Sequence, residues 1–384
     1  MTSFAILAGA SAVIIYFGPK MARTAERLAD ALGWTHAIAG AVFLGLATSL
    51  PGVVVSVSAA ARGDPELALS NGLGGIAAQT AFLAVADFFH PKRNLEHDAG
   101  SVVNLFQIAL LLTLLSCIIV AFITPSVSFW SVHPVSILLP AAWIAGQFVA
   151  RKTGQNKPWT PSDQKDADDD AADKADGKTE SSSKRSLLLR FVLLAAVVGV
   201  AGYLLSVHAP VVARTIGVTS SAVGFAFTAV VTSMPELVTT ITAVRRGAIA
   251  LAVGNIAGGN AFDTLFASLA DFAYRDGSIY HAAGPHEQLA TAVGMVLTGI
   301  LLMGLVIRER RGIAAIGTDG ALILAAYAVG VVLITTLPNG GDDAPTDADR
   351  PAAHQLPLPP HLRPGPTLSP RPHPAPPPPN PRGP

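Results

Sequence analysis

The chain has 384 residues, of which 51% are hydrophobic and only 14% are charged, and its formal net charge is +0. Soluble domains carry about 25% charged residues, so this chain lacks the charge needed to cover a water-facing surface. An ordinary soluble enzyme and a nucleic-acid-binding protein are thereby excluded. The single cysteine, Cys117, excludes a scaffold held by intramolecular disulfides.

Apolar segments recur along the chain and are long enough to cross a bilayer core of about 30 Å as helices. In chain order they are residues 3–19, 37–61, 66–89, 101–124, 134–150, 187–207, 217–244, 247–273, 287–307 and 318–337. We therefore predict an all-α polytopic membrane protein with ten transmembrane helices, the first of which is residues 3–19.

Two stretches fall outside this pattern. Residues 151–186 are charged and rich in Ala, Asp, Lys and Ser, and residues 338–384 are dominated by proline. Neither can bury enough apolar surface to fold alone, so we predict a disordered cytoplasmic linker and a disordered tail. The linker separates two predicted five-helix repeats, residues 1–150 and 187–337.

Lysine and arginine occur mainly in alternate loops. These loops contain Lys20, Arg23, Arg27, Lys92, Arg93, Arg151, Lys152, Lys184, Arg185, Arg245, Arg246, Arg308, Arg310 and Arg311. The opposite loops contain only Arg62, Arg214 and Arg275. The positive-inside rule places the first set in the cytoplasm and both termini outside, as in a multi-pass protein of the plasma membrane.

An internal repeat links the two halves. Residues 47–88 align with residues 231–272 at a constant offset of 184, and eighteen of the 42 positions are identical. The complete repeat units span about 40–89 and 224–273. Five predicted spans separate the copies, so the copies lie in opposite orientations across the membrane. Secondary transporters with such inverted repeats bind their substrates at helix breaks near the midplane.

Proline interrupts both copies at the same place, at Pro51 and Pro235. Proline lacks a backbone donor and clashes with the preceding turn, so both helices are predicted to break here. The hydroxyl groups beside these prolines can cap the resumed helix or point inward. They belong to Thr48, Ser49, Thr232 and Ser233.

The second copy adds two carboxylates at membrane depth, Glu236 and Asp263. A carboxylate there is costly and by default marks a functional site facing the bundle interior. Carboxylate, amide and hydroxyl oxygens are hard ligands suited to Na⁺ or Ca²⁺. The nearby amides are those of Asn71, Gln79, Asn255 and Asn260.

These motifs resemble a known family. The pattern T-S-x-P-E followed by G-N-x-x-G-[GS]-N-x-x-[DN] is similar to the α-repeat of the cation/Ca²⁺ antiporter superfamily, which includes Na⁺/Ca²⁺ exchangers. The resemblance implies an antiporter that exchanges Ca²⁺ for Na⁺ by alternating access to a central site. It implies Glu236 and Asp263 as principal ligands, with oxygen from Thr48, Thr232 and Ser233. The resemblance also implies that the protein's partners are the lipid bilayer and inorganic cations, and that the protein has no cofactor.

The first copy departs from that pattern because Gly52 stands at the position equivalent to Glu236, and Gln79 at the position equivalent to Asp263. The predicted site therefore holds two carboxylates where the resemblance implies three. By the inverted-repeat argument, Gly52 faces the site from the opposite half.

Three alternatives follow from the same residues. An intramembrane enzyme is disfavoured because the chain contains neither an H-E-x-x-H nor a G-x-S-x-G motif. A proton-coupled cation exchanger would use Glu236 to carry protons in place of Na⁺. A cation-binding membrane scaffold that does not transport is the third, because Gly52 replaces a glutamate.

Matching A-D-F motifs end the two copies at Asp87 and Asp271. Both aspartates lie near predicted helix ends, which favours a capping or interfacial role over a role in transport.

Overall fold

The computed structural model describes residues 1–32, 43, 45–89, 95, 101–125, 127–155, 183–308 and 317–338. Regular secondary structure in these residues is helical, apart from an isolated bridge between Phe129 and Val132. Residues Met1–Asn339 form one compact unit. Most of the predicted linker, residues 156–182, and the predicted tail from residue 339 onward lie outside the described residues.

The described part of the first half is built from helices of 12 to 31 residues. They are α1 (Thr2–Leu32), α2 (Leu50–Ala61), α3 (Pro65–Asp87), α4 (Val102–Ile123) and α5 (Pro134–Gln155). Residues 45–48, directly before α2, are also helical.

The second half contains shorter pieces as well. They are α6 (Lys184–Ile216), α7 (Ser220–Val223), a π-helical turn (Gly224–Thr228), α8 (Ala229–Thr232), α9 (Met234–Arg245), α10 (Ile249–Asp263), α11 (Leu265–Ala273), α12 (Ile279–Ala282), α13 (Pro285–Ile307) and α14 (Thr318–Thr336).

Helix α1 continues to Leu32, well past its predicted end at residue 19. The continuation is amphipathic, because Met21, Ala25 and Leu28 are buried while Arg23 is exposed. A search for uninterrupted apolar runs misses such a segment, since its hydrophobic residues recur at helical spacing between charged ones.

By length and composition, seven helices of the described residues can cross a membrane, and the bent pair Ser220–Thr232 with Met234–Arg245 gives an eighth. Helix α2 is shorter. The segment predicted as residues 247–273 consists of α10 and α11, which meet at Thr264.

Helix α3 lies at the centre of the bundle and contacts α2, α9, α10, α13 and α14. Small residues permit this close packing. A Cβ atom on Gly74 would lie only 2.7 Å from Cα of Phe225 in the π-helical turn. Glycine at position 74 therefore allows the backbones of the two repeats to touch.

The proline-linked breaks form as predicted, at Ser49 and Ser233. The backbone angles of the two serines are nearly the same, with φ −82° and ψ −1° at Ser49 and φ −93° and ψ 7° at Ser233. Pro51 and Pro235 are each the second residue of the resumed helix. Backbone N–H groups in the first turn of a helix have no partner within it, so the missing N–H of proline costs no helical hydrogen bond there. The second break bends its helix pair by 48°.

Candidate cation site

A cavity of about 10 Å³ lies between the two helix breaks. Its wall consists of Ser49, Gly52, Asn71, Gly75, Gln79, Thr232, Ser233, Glu236, Asp263 and Phe266. A volume of about 10–15 Å³ holds one water-sized particle. Segments distant in sequence thus meet around a space large enough for a single ion.

Asp263 is fixed by two donors from the first repeat. The Ser49 hydroxyl donates to Oδ1 at 2.7 Å, and the Gln79 amide donates to Oδ2 at 2.6 Å. Gln79 precedes Asp263 by 184 residues, which is the offset of the internal repeat. Equivalent positions of the two copies therefore touch each other at the centre of the molecule.

Glu236 is the second carboxylate of the cavity and is only 4% exposed. Thr48 does not line the cavity, and its hydroxyl donates to the Gly45 carbonyl at 3.1 Å. The Oε2 atom of Glu236 is buried and has no hydrogen-bond partner among the described residues, and the same is true of Oε1 of Gln79. Buried oxygen atoms are nearly always paired, so these two unpaired atoms, which belong to residues of the cavity wall, are candidates for contact with a bound cation.

The serines at the breaks point inward. Neither Ser49 nor Ser233 caps its resumed helix with its side chain. Ser49 instead bonds Asp263, and Ser233 Oγ accepts a 3.3 Å bond from the Gln79 amide. Thr232 also lines the cavity, while its hydroxyl donates to the carbonyl of Ala229 at 3.2 Å.

Asn71 lies in the cavity wall, but its side chain forms hydrogen bonds to neighbouring helices. Its amide donates to the Gly52 carbonyl and to the Ser56 hydroxyl, both at 3.1 Å. Its own carbonyl accepts a 2.9 Å bond from Thr228 in the π-helical turn. These contacts occupy the polar atoms of Asn71.

The structure does not bring Asn255 or Asn260 to the cavity wall. Asn255 donates to the Thr239 hydroxyl at 3.4 Å. Asn260 donates to the carbonyl of Ile76 at 3.3 Å and to the Thr80 hydroxyl at 3.0 Å. The Asn260–Ile76 contact again joins positions 184 residues apart, so Asn260 is part of the contact between the two repeats.

Asp87 and Asp271 accept hydrogen bonds from backbone N–H groups at equivalent positions of the two repeats. Each accepts a 2.9 Å bond from the backbone N–H eight residues later, from Leu95 and Ile279 respectively. The other oxygen of Asp87 accepts from the N–H of Gly317, and that of Asp271 accepts from His133, the equivalent position. Their position supports the predicted capping role.

Sequence reasoning missed three features of the site: Phe266 in its wall, the interruption at Thr264 directly after Asp263, and the π-helical turn. One available signal was the phenylalanine at the equivalent position in both copies, Phe82 and Phe266.

No group of three or more His, Cys, Asp or Glu side chains suited to a metal ion occurs in the described residues.

The structure is similar to several solved structures. Native YfkE matches with a TM-score of 0.59 and 16% identity, over 86% of this chain and 92% of that one. The H⁺/Ca²⁺ exchanger CAX matches with a TM-score of 0.58 and 12% identity, over 86% and 87%. The sodium-calcium exchanger NCX_Mj matches with a TM-score of 0.55 and 18% identity, over 88% and 99%. The fold is therefore shared with the exchangers CAX and NCX_Mj. Together with a match of residues 2–145 and 186–336 to the sodium/calcium exchanger protein family, it makes the protein a membrane transporter.

The chain belongs to the sodium/calcium exchanger protein family and so to the cation/Ca²⁺ antiporter superfamily, as the repeat motifs predicted. No curated protein sequence matches it significantly.

Proposed function

We propose that this protein exchanges Ca²⁺ for Na⁺ by alternating access to the cavity between the two breaks, with Glu236 and Asp263 as its charged ligands. The observation that carries the proposal is that both carboxylates line one ion-sized cavity and that one oxygen of Glu236 is buried there without a hydrogen-bond partner. Ca²⁺ takes 6–8 oxygen ligands. Carboxylate, hydroxyl and amide oxygens in this wall supply that chemistry.

Charge balance supports a divalent substrate. Two carboxylates neutralise one Ca²⁺, whereas each uncompensated charge in a dehydrated site costs several kcal/mol. Ser49 and Gln79 hold Asp263 with donors and carry no charge themselves. The wall thus has a formal charge of −2 when both acids are ionised.

We further propose the arrangement of the whole chain: two five-helix repeats, residues 1–150 and 187–337, in the plasma membrane, with both termini outside. The alternating lysine and arginine pattern supports the orientation. Contacts between positions 184 residues apart support the pairing of the two repeats.

Proton-coupled exchange is the second candidate. Gly52 gives the cavity one carboxylate fewer than the resemblance implies, which disfavours several Na⁺ ions at once. The fold is also shared with an H⁺/Ca²⁺ exchanger.

Reconstituted vesicles separate these candidates. Radiolabelled Ca²⁺ uptake is measured with an imposed Na⁺ gradient and, separately, with an imposed pH gradient. Uptake that follows the Na⁺ gradient supports the proposal, and uptake that follows only the pH gradient supports the second candidate. Absence of uptake under both gradients, in protein that remains folded and inserted, contradicts both and leaves the scaffold alternative.

A further inference from the structure

The two halves of the cavity wall are chemically unequal. Both carboxylates, Glu236 and Asp263, come from the second repeat, and the equivalent first-repeat residues are Gly52 and Gln79. The carbonyl of Gly52 is already bonded to the Asn71 amide at 3.1 Å. The first-repeat half therefore supplies neutral groups, chiefly those of Ser49 and Gln79, and no charge.

The ring of Phe266 fills the space beside Gly52. A Cβ atom on Gly52 would lie 2.7 Å from Cε2 of Phe266 and 3.2 Å from its Cζ. A Cβ atom on Gly72 would lie 3.1 Å from Cβ of the same phenylalanine. Close-packed interiors do not tolerate such approaches, so the ring occupies the volume that a side chain at position 52 would need.

The internal repeat provides a comparison within the molecule. Phe82 stands at the position equivalent to Phe266, and Glu236 stands at the position equivalent to Gly52. Phe82 is buried but does not line the cavity. The aromatic residue thus reaches the cavity on the side where the opposing residue is glycine, and not on the side where it is glutamate.

We infer that Phe266 limits the central site to one cation, because its ring fills the first-repeat half of the cavity against Gly52 and excludes a second ion together with its water. A hydrocarbon ring supplies none of the oxygen ligands that an ion loses on dehydration, and burying an ion without them is strongly unfavourable. The inference rests on the proposed function of the cavity.

Equilibrium binding of radiolabelled Ca²⁺ to the purified full-length protein, with Na⁺ as competitor, tests the inference. In the unsubstituted protein, Na⁺ is expected to displace Ca²⁺ with a Hill coefficient of about 1. Failure of Na⁺ to displace Ca²⁺ would reject Na⁺ as the counter-ion and the inference with it. Phe266→Ala opens the first-repeat half to water and a second ion, so the Hill coefficient rises towards 2, the number of competing ions.

Phe82→Ala is the matched control, because it removes an equivalent ring outside the cavity and is expected to keep the original Hill coefficient. If either alanine variant aggregates, Phe266→Leu and Phe82→Leu give the same comparison with a smaller loss of volume. A Hill coefficient near 2 in the unsubstituted protein, or equal values in the two variants, overturns the inference.

Glu236→Gln distinguishes this failure from failure of the proposed function. Loss of Ca²⁺ binding in Glu236→Gln, combined with equal behaviour of the two phenylalanine variants, rejects only the role of Phe266. Absence of saturable Ca²⁺ binding in the unsubstituted protein rejects the cation site itself and the inference with it.

Discussion

At the scale of single residues, charge and hydrogen bonding are divided between the repeats. The second repeat supplies both acids, and the first supplies neutral partners that orient one of them through Ser49 and Gln79. Such supporting hydrogen bonds fix the direction of a ligand and tune its affinity for the ion. Two substitutions test the two roles separately.

Glu236→Gln is expected to abolish cation-coupled transport while the protein still inserts. Removing one partner of a buried charge pair costs about 3–5 kcal/mol, which corresponds to a loss of affinity of more than about 100-fold. Uptake of radiolabelled Ca²⁺ into vesicles measures it. Glu287→Gln is the matched control, since Glu287 is also fully buried but lies outside the cavity wall. Unchanged flux in Glu236→Gln rejects Glu236 as a ligand.

Gln79→Leu is expected to weaken Ca²⁺ binding by about 10-fold to 100-fold, the usual effect of removing a group that supports a ligand. The substitution deletes the donor to Asp263 and the unpaired amide oxygen in one step. Calorimetric titration of purified protein gives the affinity. Gln107→Leu is the control, because the Gln107 amide bonds Gln147 away from the cavity. Equal affinities in the two variants would show that Gln79 has no role in binding.

At the scale of elements, each repeat contains one helix break and one buried aspartate that accepts hydrogen bonds from backbone N–H groups. Ser49 and Ser233 adopt nearly the same backbone conformation, and Asp87 and Asp271 accept bonds from equivalent backbone groups. The breaks expose side chains to the cavity, whereas Asp87 and Asp271 lie outside its wall and bind backbone N–H groups near helix ends. We therefore expect ion binding and stability to respond to different substitutions.

Asp87→Asn and Asp271→Asn are expected to destabilise the protein by about 1–3 kcal/mol each, because an amide presents an N–H₂ group where a carboxylate oxygen accepted a bond. Thermal unfolding in detergent shows the change, and Ca²⁺ affinity measured below the transition is expected to be unchanged. A loss of affinity without a loss of stability would instead assign these aspartates to ion transport.

At the scale of the whole molecule, the internal repeat predicts a pseudo-symmetric pairing about the cavity. The Gln79–Asp263 and Ile76–Asn260 contacts each join positions 184 residues apart. Equivalent residues can meet in this way only where a symmetry axis passes between them. Because the cavity lies between the repeats, the proposed alternating access would follow from a relative movement of the two repeats.

Membrane orientation is tested by cysteine labelling on a Cys117→Ala background. We expect Ser183→Cys to be protected from an impermeant thiol reagent in right-side-out vesicles, because the positive-inside rule places this end of the linker in the cytoplasm. Asp276→Cys, in a loop predicted to be outside, is the control and is expected to react. Both residues are exposed in the structure. Reversed labelling would invert the topology.

The amino-acid sequence by itself determined the class of protein, the repeat, the positions of both breaks and the two acids. Each can be read from the order of residues alone: an apolar run, a proline, a charge within an apolar segment or an identity between the two copies. The departures of the fold from prediction are also local in origin, since the extension of α1 to Leu32 follows amphipathic spacing that a search for apolar runs overlooks.

Tertiary structure alone decided which polar groups reach the cavity and what fills its other half. Asn255 and Asn260 carry the amides that the motif suggests, yet both bond to neighbouring helices, while Gln79 joins Asp263 from the opposite repeat. Phe266 enters the wall because Gly52 leaves room for its ring. Gln79 and Asp263 are 184 residues apart, and Gly52 and Phe266 are 214 residues apart. Both outcomes depend on side chains from such distant segments sharing one small volume, and no local pattern along the chain records that arrangement.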